Sequence, residues 1–237
     1  MKKVLFGLFA LSTVAMAAET NLYLRAGADL NGEYDVINYE GTKVNKDEAD
    51  DFSWEIAVEA TREIYPKVEL GLGLAYQKHG DAKSAFNHEV YGENEWDDTT
   101  LEMPGYTSIP LYVVAKYNFD AVNNFVPYIK ANLGYSFNDE DGDLKVHGTI
   151  NEPFENDPDY IVTEEWGGKA DVKIENGLYY GIGAGFEYNN FTIDLMYQVN
   201  EATAKLTDKD PGYEYRTIEQ DCNYSRLTLS FGYKFNF

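Results

Sequence analysis

The sequence predicts an all-β fold: an eight-stranded antiparallel up-and-down transmembrane β-barrel with four long acidic extracellular loops and short periplasmic turns. Three observations predict it. Apolar and polar residues alternate strictly in eight stretches of about ten residues, the length a tilted strand needs to cross a bilayer. The connections between these stretches are alternately tight and long. The acidic excess collects in the long connections, while the charges left inside the stretches fall on one side of each.

The chain opens with Lys2 and Lys3, an apolar run, and the small residues Ala15 and Ala17. This pattern predicts a secretory signal peptide over 1–17, with the barrel occupying 18–237 as one domain. The run from Val4 to Ala18 is shorter than the roughly 20 residues of a membrane-spanning helix. Periodicity therefore carries the membrane reading. The first four apolar faces are Leu22/Leu24/Ala26/Ala28, Trp54/Ile56/Val58/Ala60, Val68/Leu70/Leu72/Leu74/Tyr76 and Leu111/Val113/Ala115/Tyr117/Phe119. The next three are Ile129/Ala131/Leu133/Tyr135/Phe137, Leu178/Tyr180/Ile182/Ala184/Phe186/Tyr188 and Phe191/Ile193/Leu195/Tyr197/Val199. The closing stretch presents Leu227, Leu229, Phe231, Tyr233, Phe235 and Phe237. Pro110 cannot donate to a ladder, so the fourth strand is expected to begin near Leu111 or to bulge there.

Tight turns are expected near Tyr65-Pro66, at Asp120 to Asn124 and at Asn189-Asn190, with long loops over 31–51, 78–105, 138–176 and 200–223. An even strand number puts both chain ends on the short-turn side, and closure removes the edges that eight amphipathic strands would otherwise expose. The whole chain carries a formal charge of −22, and loss of Lys2 and Lys3 makes it −24. The four long loops hold −22 of that.

By parity, seven acids (Asp29, Glu55, Glu59, Glu63, Glu69, Glu187, Asp194) and six bases (Arg25, Lys67, Lys116, Lys130, Arg226, Lys234) point away from lipid. Only Arg62 shares the apolar side, beside a turn where it can snorkel. Such a partition is expected because Arg or Lys facing lipid at the midplane costs about 2–4 kcal/mol. An eight-stranded lumen is just wide enough for side chains to fill, so opposite charges inside it are expected to pair and plug it. Inward glycines, Gly73 and Gly134 among them, make room for inward tyrosines such as Tyr112 and Tyr179.

Other motifs fail on spacing. "GIGAGF" (Gly181 to Phe186) lacks the third glycine and the following helix of a dinucleotide loop. "NDEDGD" resembles a calcium loop, but Gly142 falls one place early and no terminal Glu matches. His79, His88 and His147, with Ser84 and Ser108, read as solvated loop residues without a catalytic spacing. Cys222, the single cysteine, reads as an incidental loop thiol. The sequence thus designates no catalytic, cofactor-binding or metal-binding residue. Acidic loops exclude nucleic acid, whose phosphates they repel.

The stretches "IPLYVVAKYNF", "VPYIKANLGYSF", "GLYYGIGAGFEYNNFTIDLMYQ" and "SRLTLSFGYKFNF" together resemble the small outer-membrane β-barrel family that includes the OmpA membrane domain, OmpX and opacity-type porin-like adhesins. The resemblance spans essentially all of 18–237, without the periplasmic wall-binding domain of full-length OmpA. It implies location in the outer membrane, among its lipid and lipopolysaccharide. It also implies insertion by machinery that reads the last strand, ending in Phe237, and it makes host or matrix molecules candidate partners. The function expected is membrane structure or surface interaction, not an enzyme; the alternatives are a narrow diffusion channel and, behind it, a lipid-modifying enzyme. Deleting Phe237 is expected to impair assembly, read by heat-modifiable migration; unchanged migration and surface display would refute the signal role.

Overall fold

The computed structural model describes residues 20–39, 42–43, 45–92, 94–140, 142–154, 157–207 and 217–236. The expected signal peptide at 1–17 and Phe237 lie outside these residues. The strands among them run β1 (Thr20–Tyr34), β2 (Asn38–Tyr39), β3 (Thr42–Lys43), β4 (Asn45–Ala49), β5 (Trp54–Tyr65) and β6 (Val68–Lys78). There follow β7 (Ala82–Gly92), β8 (Glu95–Glu102), β9 (Tyr106–Asn118), β10 (Phe125–Glu140), β11 (Leu144–Phe154) and β12 (Asp157–Ile174). The last five are β13 (Gly177–Tyr188), β14 (Phe191–Asn200), β15 (Thr203–Thr207), β16 (Thr217–Asp221) and β17 (Tyr224–Asn236).

Eight of these strands close on themselves. The circuit β1–β5–β6–β9–β10–β13–β14–β17 returns to β1, each neighbour antiparallel and next in the up-and-down order. The fold class read from the alternation therefore holds. Leu133, Ile182, Ile129 and Phe231 are exposed on the outside, whereas Arg25, Glu59, Lys130 and Arg226 are buried inside. Rings gather toward the short-turn end of the outer face: Phe125 stacks on Tyr188 at 4.6 Å between centroids, and Tyr233 meets Phe235 at 4.8 Å. Amphipathic aromatic rings favour a bilayer interface, which suits this girdle.

The three short connections fall where expected. Lys67, Asn123, Asn124 and Asn189 adopt positive φ there, a region that asparagine tolerates better than most side chains. The Pro110 expectation is corrected. β9 begins at Tyr106 and passes through Pro110 without a bulge; its register with β10 is continuous, while the ladder to β6 omits Ala75 and Tyr76. The missing N–H thus interrupts one of the two ladders and leaves the strand intact.

The long connections are hairpins rather than irregular loops. β7 pairs with β8, β11 with β12, and β15 with β16, and they join side to side through β4–β7, β8–β11 and β12–β15. A second tier thereby continues the barrel wall at its long-loop end. Its inner side holds an apolar cluster that includes Leu101, Leu144, Val172, Ile174, Ala204 and Leu206.

Candidate functional site: a charge-filled lumen under an aromatic collar

Side chains fill the lumen in three tiers. At the short-turn end, Lys116 Nζ lies 3.5 Å from Glu69 and 3.3 Å from Glu187, and donates to the Tyr23 hydroxyl at 2.9 Å. Lys234 completes this tier at 2.9 Å from Glu187. In the middle, Glu59 accepts from Arg25 at 3.0 Å, Lys130 at 3.1 Å and the Tyr112 hydroxyl at 2.9 Å. Arg25 also pairs with Asp194, to which Tyr128 donates at 2.7 Å. Above them, Arg226 meets Glu55 at 2.9 Å and Asp29 at 3.5 Å, and its Nε donates to Gln198 at 3.0 Å.

The lower and middle tiers each set two bases against two acids, and the upper sets Arg226 against Glu55 and Asp29; this pairing offsets much of the cost of bringing these groups out of water. Partners come from strands that are not neighbours in the wall: Arg25 on β1 meets Asp194 on β14 across β17, and Lys130 on β10 meets Glu59 on β5 across β9 and β6. Glycine makes the ring positions feasible. A Cβ at Gly73 would come within 2.3 Å of the Tyr112 ring, so only a residue without one fits there. Tyr112 and Tyr179 do point inward, with centroids 5.1 Å apart.

Two of the thirteen inward charges are misplaced by the parity reading. Glu63 is exposed, because the register shifts between Glu63 and Tyr65 and the strand there has reached the rim. Lys67 sits in the turn and pairs at 2.7 Å with exposed Asp120. The lumen therefore holds six acids and five bases of that set. Neutral donors and acceptors were missed. Gln77 and Gln198 donate to Glu55 at 3.1 and 3.3 Å, and Asn200 reaches Gln77 at 2.9 Å and Ser136 at 3.2 Å. The same parity carries the signal for all of them, yet a charge count passes over them.

Above the charged tiers the character changes. His79, the residue after β6, is completely buried and not solvated; its Nε2 lies 2.9 Å from Ser108 Oγ, which donates to Asn138 at 2.7 Å. Its ring packs between Tyr106 and Tyr224, at 4.6 and 4.4 Å. Tyr34 closes the collar against Tyr224 at 4.7 Å and donates to the Gly80 carbonyl at 2.6 Å. Cys222 is buried in the same cluster, and burial pushes its thiol up to about 12. It is not an accessible loop thiol, because the collar that encloses it forms only when separate hairpins meet. His88 and His147 stay in the hairpins, where His88 Nδ1 lies 2.6 Å from Asp98. Ser84 lies in β7 opposite Asn45 of β4. Gly181 to Phe186 form part of β13, a strand and no phosphate loop.

Burial, then the charges of Arg226 and Lys78, holds the His79 imidazole well below its ordinary value, so it is neutral when folded. The unfolded chain accepts that proton first, near pH 6.5. The stability contributed by neutral His79 is thus present above that pH and lost as pH falls below it. The melting temperature is expected to drop between about pH 7.5 and about pH 5, and less so for His79→Gln. Equal drops in both proteins would refute the assignment.

A closed barrel with apolar strand faces outside and paired charges within defines a transmembrane β-barrel protein. The chain belongs to the outer membrane protein beta-barrel domain family, whose model matches residues 4–235. It is accordingly a protein of the outer membrane. It is similar, at 29% identity over 245 residues covering 99% of this chain and 98% of the relative, to uncharacterized protein PM1543 of Pasteurella multocida (strain Pm70). Among solved structures it is similar to the outer membrane protein OprG of Pseudomonas aeruginosa, at 15% identity and a TM-score of 0.48 over 93% of this chain and 97% of that one. Neisserial surface protein A matches at 10% identity with a TM-score of 0.42, over 92% and 98% of the two chains. Ail of Yersinia pestis, in complex with the heparin analogue sucrose octasulfate, matches at 15% identity with a TM-score of 0.37, over 92% and 99%.

Proposed function

We propose that the protein is a non-enzymatic surface barrel: a plugged membrane anchor that presents four acidic hairpins to the outside for interaction with molecules beyond the cell. The supporting observation is the lumen, in which ion pairs at 2.9–3.5 Å recur through all three tiers. Water or solute would have to separate these pairs to pass. His79 and Ser108, although hydrogen-bonded to each other, are buried under the collar, away from any lipid or peptide outside. The barrel sits among outer-membrane lipid and lipopolysaccharide, its last strand engaged by the insertion machinery during assembly.

Purified protein in planar bilayers is expected to show little steady conductance. Stable, reproducible ohmic channels would favour a narrow diffusion channel instead. The outward orientation has its own test: a tag near Asn94 is expected to be reachable on intact cells and one at Asn123 is not. Equal labelling would refute the orientation.

A further inference from the structure

Beyond the collar, β7, β8, β11 and β12 project as one sheet whose side-chain rows are fixed by register. Ala85, Leu101 and Val146 form one row, and Leu101 belongs to the buried cluster, which identifies this side as the one facing the axis. Moving outward on the same side, the next row is Asn87, Thr99, Gly148 and Trp166, followed by Glu89, Asp97, Ile150 and Glu164.

Two features of these rows are unusual. Glu89 and Asp97 oppose each other directly on neighbouring strands, with Cβ atoms about 4.5–5.5 Å apart, where like charges repel. The Tyr91 hydroxyl donates to Glu89 at 2.7 Å, but no Lys or Arg occurs between Ser84 and Leu101 or between Val146 and Gly168 to offset the charge. Beside these acids, the Trp166 ring lies against Gly148, where a Cβ would meet ring atoms at 3.1 Å. Trp166 remains 40% exposed. An exposed indole next to carboxylates attracts ammonium and guanidinium groups by both ion pairing and cation–π contact.

We propose that this axis-facing side is a docking surface for a Lys- or Arg-rich polypeptide, with Glu89, Asp97, Glu164 and Trp166 as its contacts. The proposal rests on the surface-interaction reading above and names the chemistry of the partner. Spacing favours a polypeptide over a metal ion. Ile150 separates Asp97 from Glu164, about 10 Å apart at two strand spacings, whereas calcium ligands lie within about 2.6 Å of the ion. A metal would find two of these carboxylates at most. A polypeptide bearing several cations matches all three and the ring.

The test uses the full protein in lipid nanodiscs and a fluorescent, unstructured Lys-rich peptide, followed by anisotropy. Replacing Glu89→Gln, Asp97→Asn and Glu164→Gln together is expected to weaken binding about tenfold or more and to flatten its salt dependence. Trp166→Leu alone should weaken it about threefold. The control removes equal charge from elsewhere in the second tier, by Asp50→Asn, Asp51→Asn and Asp143→Asn, and is expected to bind as wild type does. Equal losses in the two triple variants would mean attraction by net charge alone and would overturn the proposal, as would an unaffected Glu89/Asp97/Glu164 variant. That variant loses repulsion, so its melting temperature should not fall; if it does, the Trp166→Leu result decides. Labelling near Asn94 on intact cells is scored separately, so that failure of the outward orientation is distinguished from failure of peptide binding.

Discussion

Replacing Lys116, Lys130 and Arg226 together with Gln is expected to lower the unfolding temperature sharply, because one cation leaves each of the three tiers. Arg226 removal strands Glu55 and Asp29; Lys116 removal takes its cation from Glu69, while Glu187 keeps Lys234; Lys130 removal, from 3.1 and 3.8 Å, leaves Glu59 and Asp194 to share Arg25. Breaking a buried pair by deleting one partner costs about 3–5 kcal/mol. Three such losses would rival the whole stability of a typical domain, about 5–15 kcal/mol, so single variants provide the graded series. Adding Glu59→Gln to Lys130→Gln is expected to recover part of the loss, since removing both members of a pair leaves no buried charge unmatched. Heat-modifiable migration and urea titration in vesicles measure this. An undiminished melting temperature would mean that these groups already face water and that the lumen is open.

The second large effect lies on the opposite face of the same wall. Ala131 is exposed midway along the outward run from Phe125 to Phe137 on β10, flanked by Ala115 and Ile182. Ala131→Arg is expected to destabilise the inserted barrel by about 2–4 kcal/mol, the cost of the guanidinium at the bilayer midplane, while Ala131→Leu should be nearly neutral. Urea titrations of the three proteins in lipid vesicles measure the difference. If Arg at 131 cost no more than Leu, the outer face of β10 would not be in lipid, and the parity that assigns every other side chain would fail with it.

That parity was legible in the sequence. A strand has a side-chain period of two, so Leu22, Leu24 and Ala26 must share one face and Tyr23, Arg25 and Gly27 the other, wherever the strand is placed. The same rule put Tyr112 and Tyr179 inside before any contact was known. It failed at Glu63, where one register shift at the end of β5 ends the alternation, and no local residue type announces that shift. Part of the collar was also readable: Val172/Ile174 and Ala204/Leu206 alternate within connections read only as acidic loops, and all four are buried.

Sequence by itself therefore determined the class of fold, its strand count and its lipid-facing residues, because each depends on spacing along a single strand, and the acidic sign of the long-loop end, which is a count of residues. Only the tertiary structure decided which acid meets which base, that His79 and Cys222 are buried, and that Glu89, Asp97 and Trp166 share one surface. Those outcomes depend on the closure and register of strands distant in the chain: Arg25 reaches Asp194 across 169 positions of sequence. Periodicity fixes the direction a side chain points, whereas its neighbours across the barrel are set by how the strands are staggered around it.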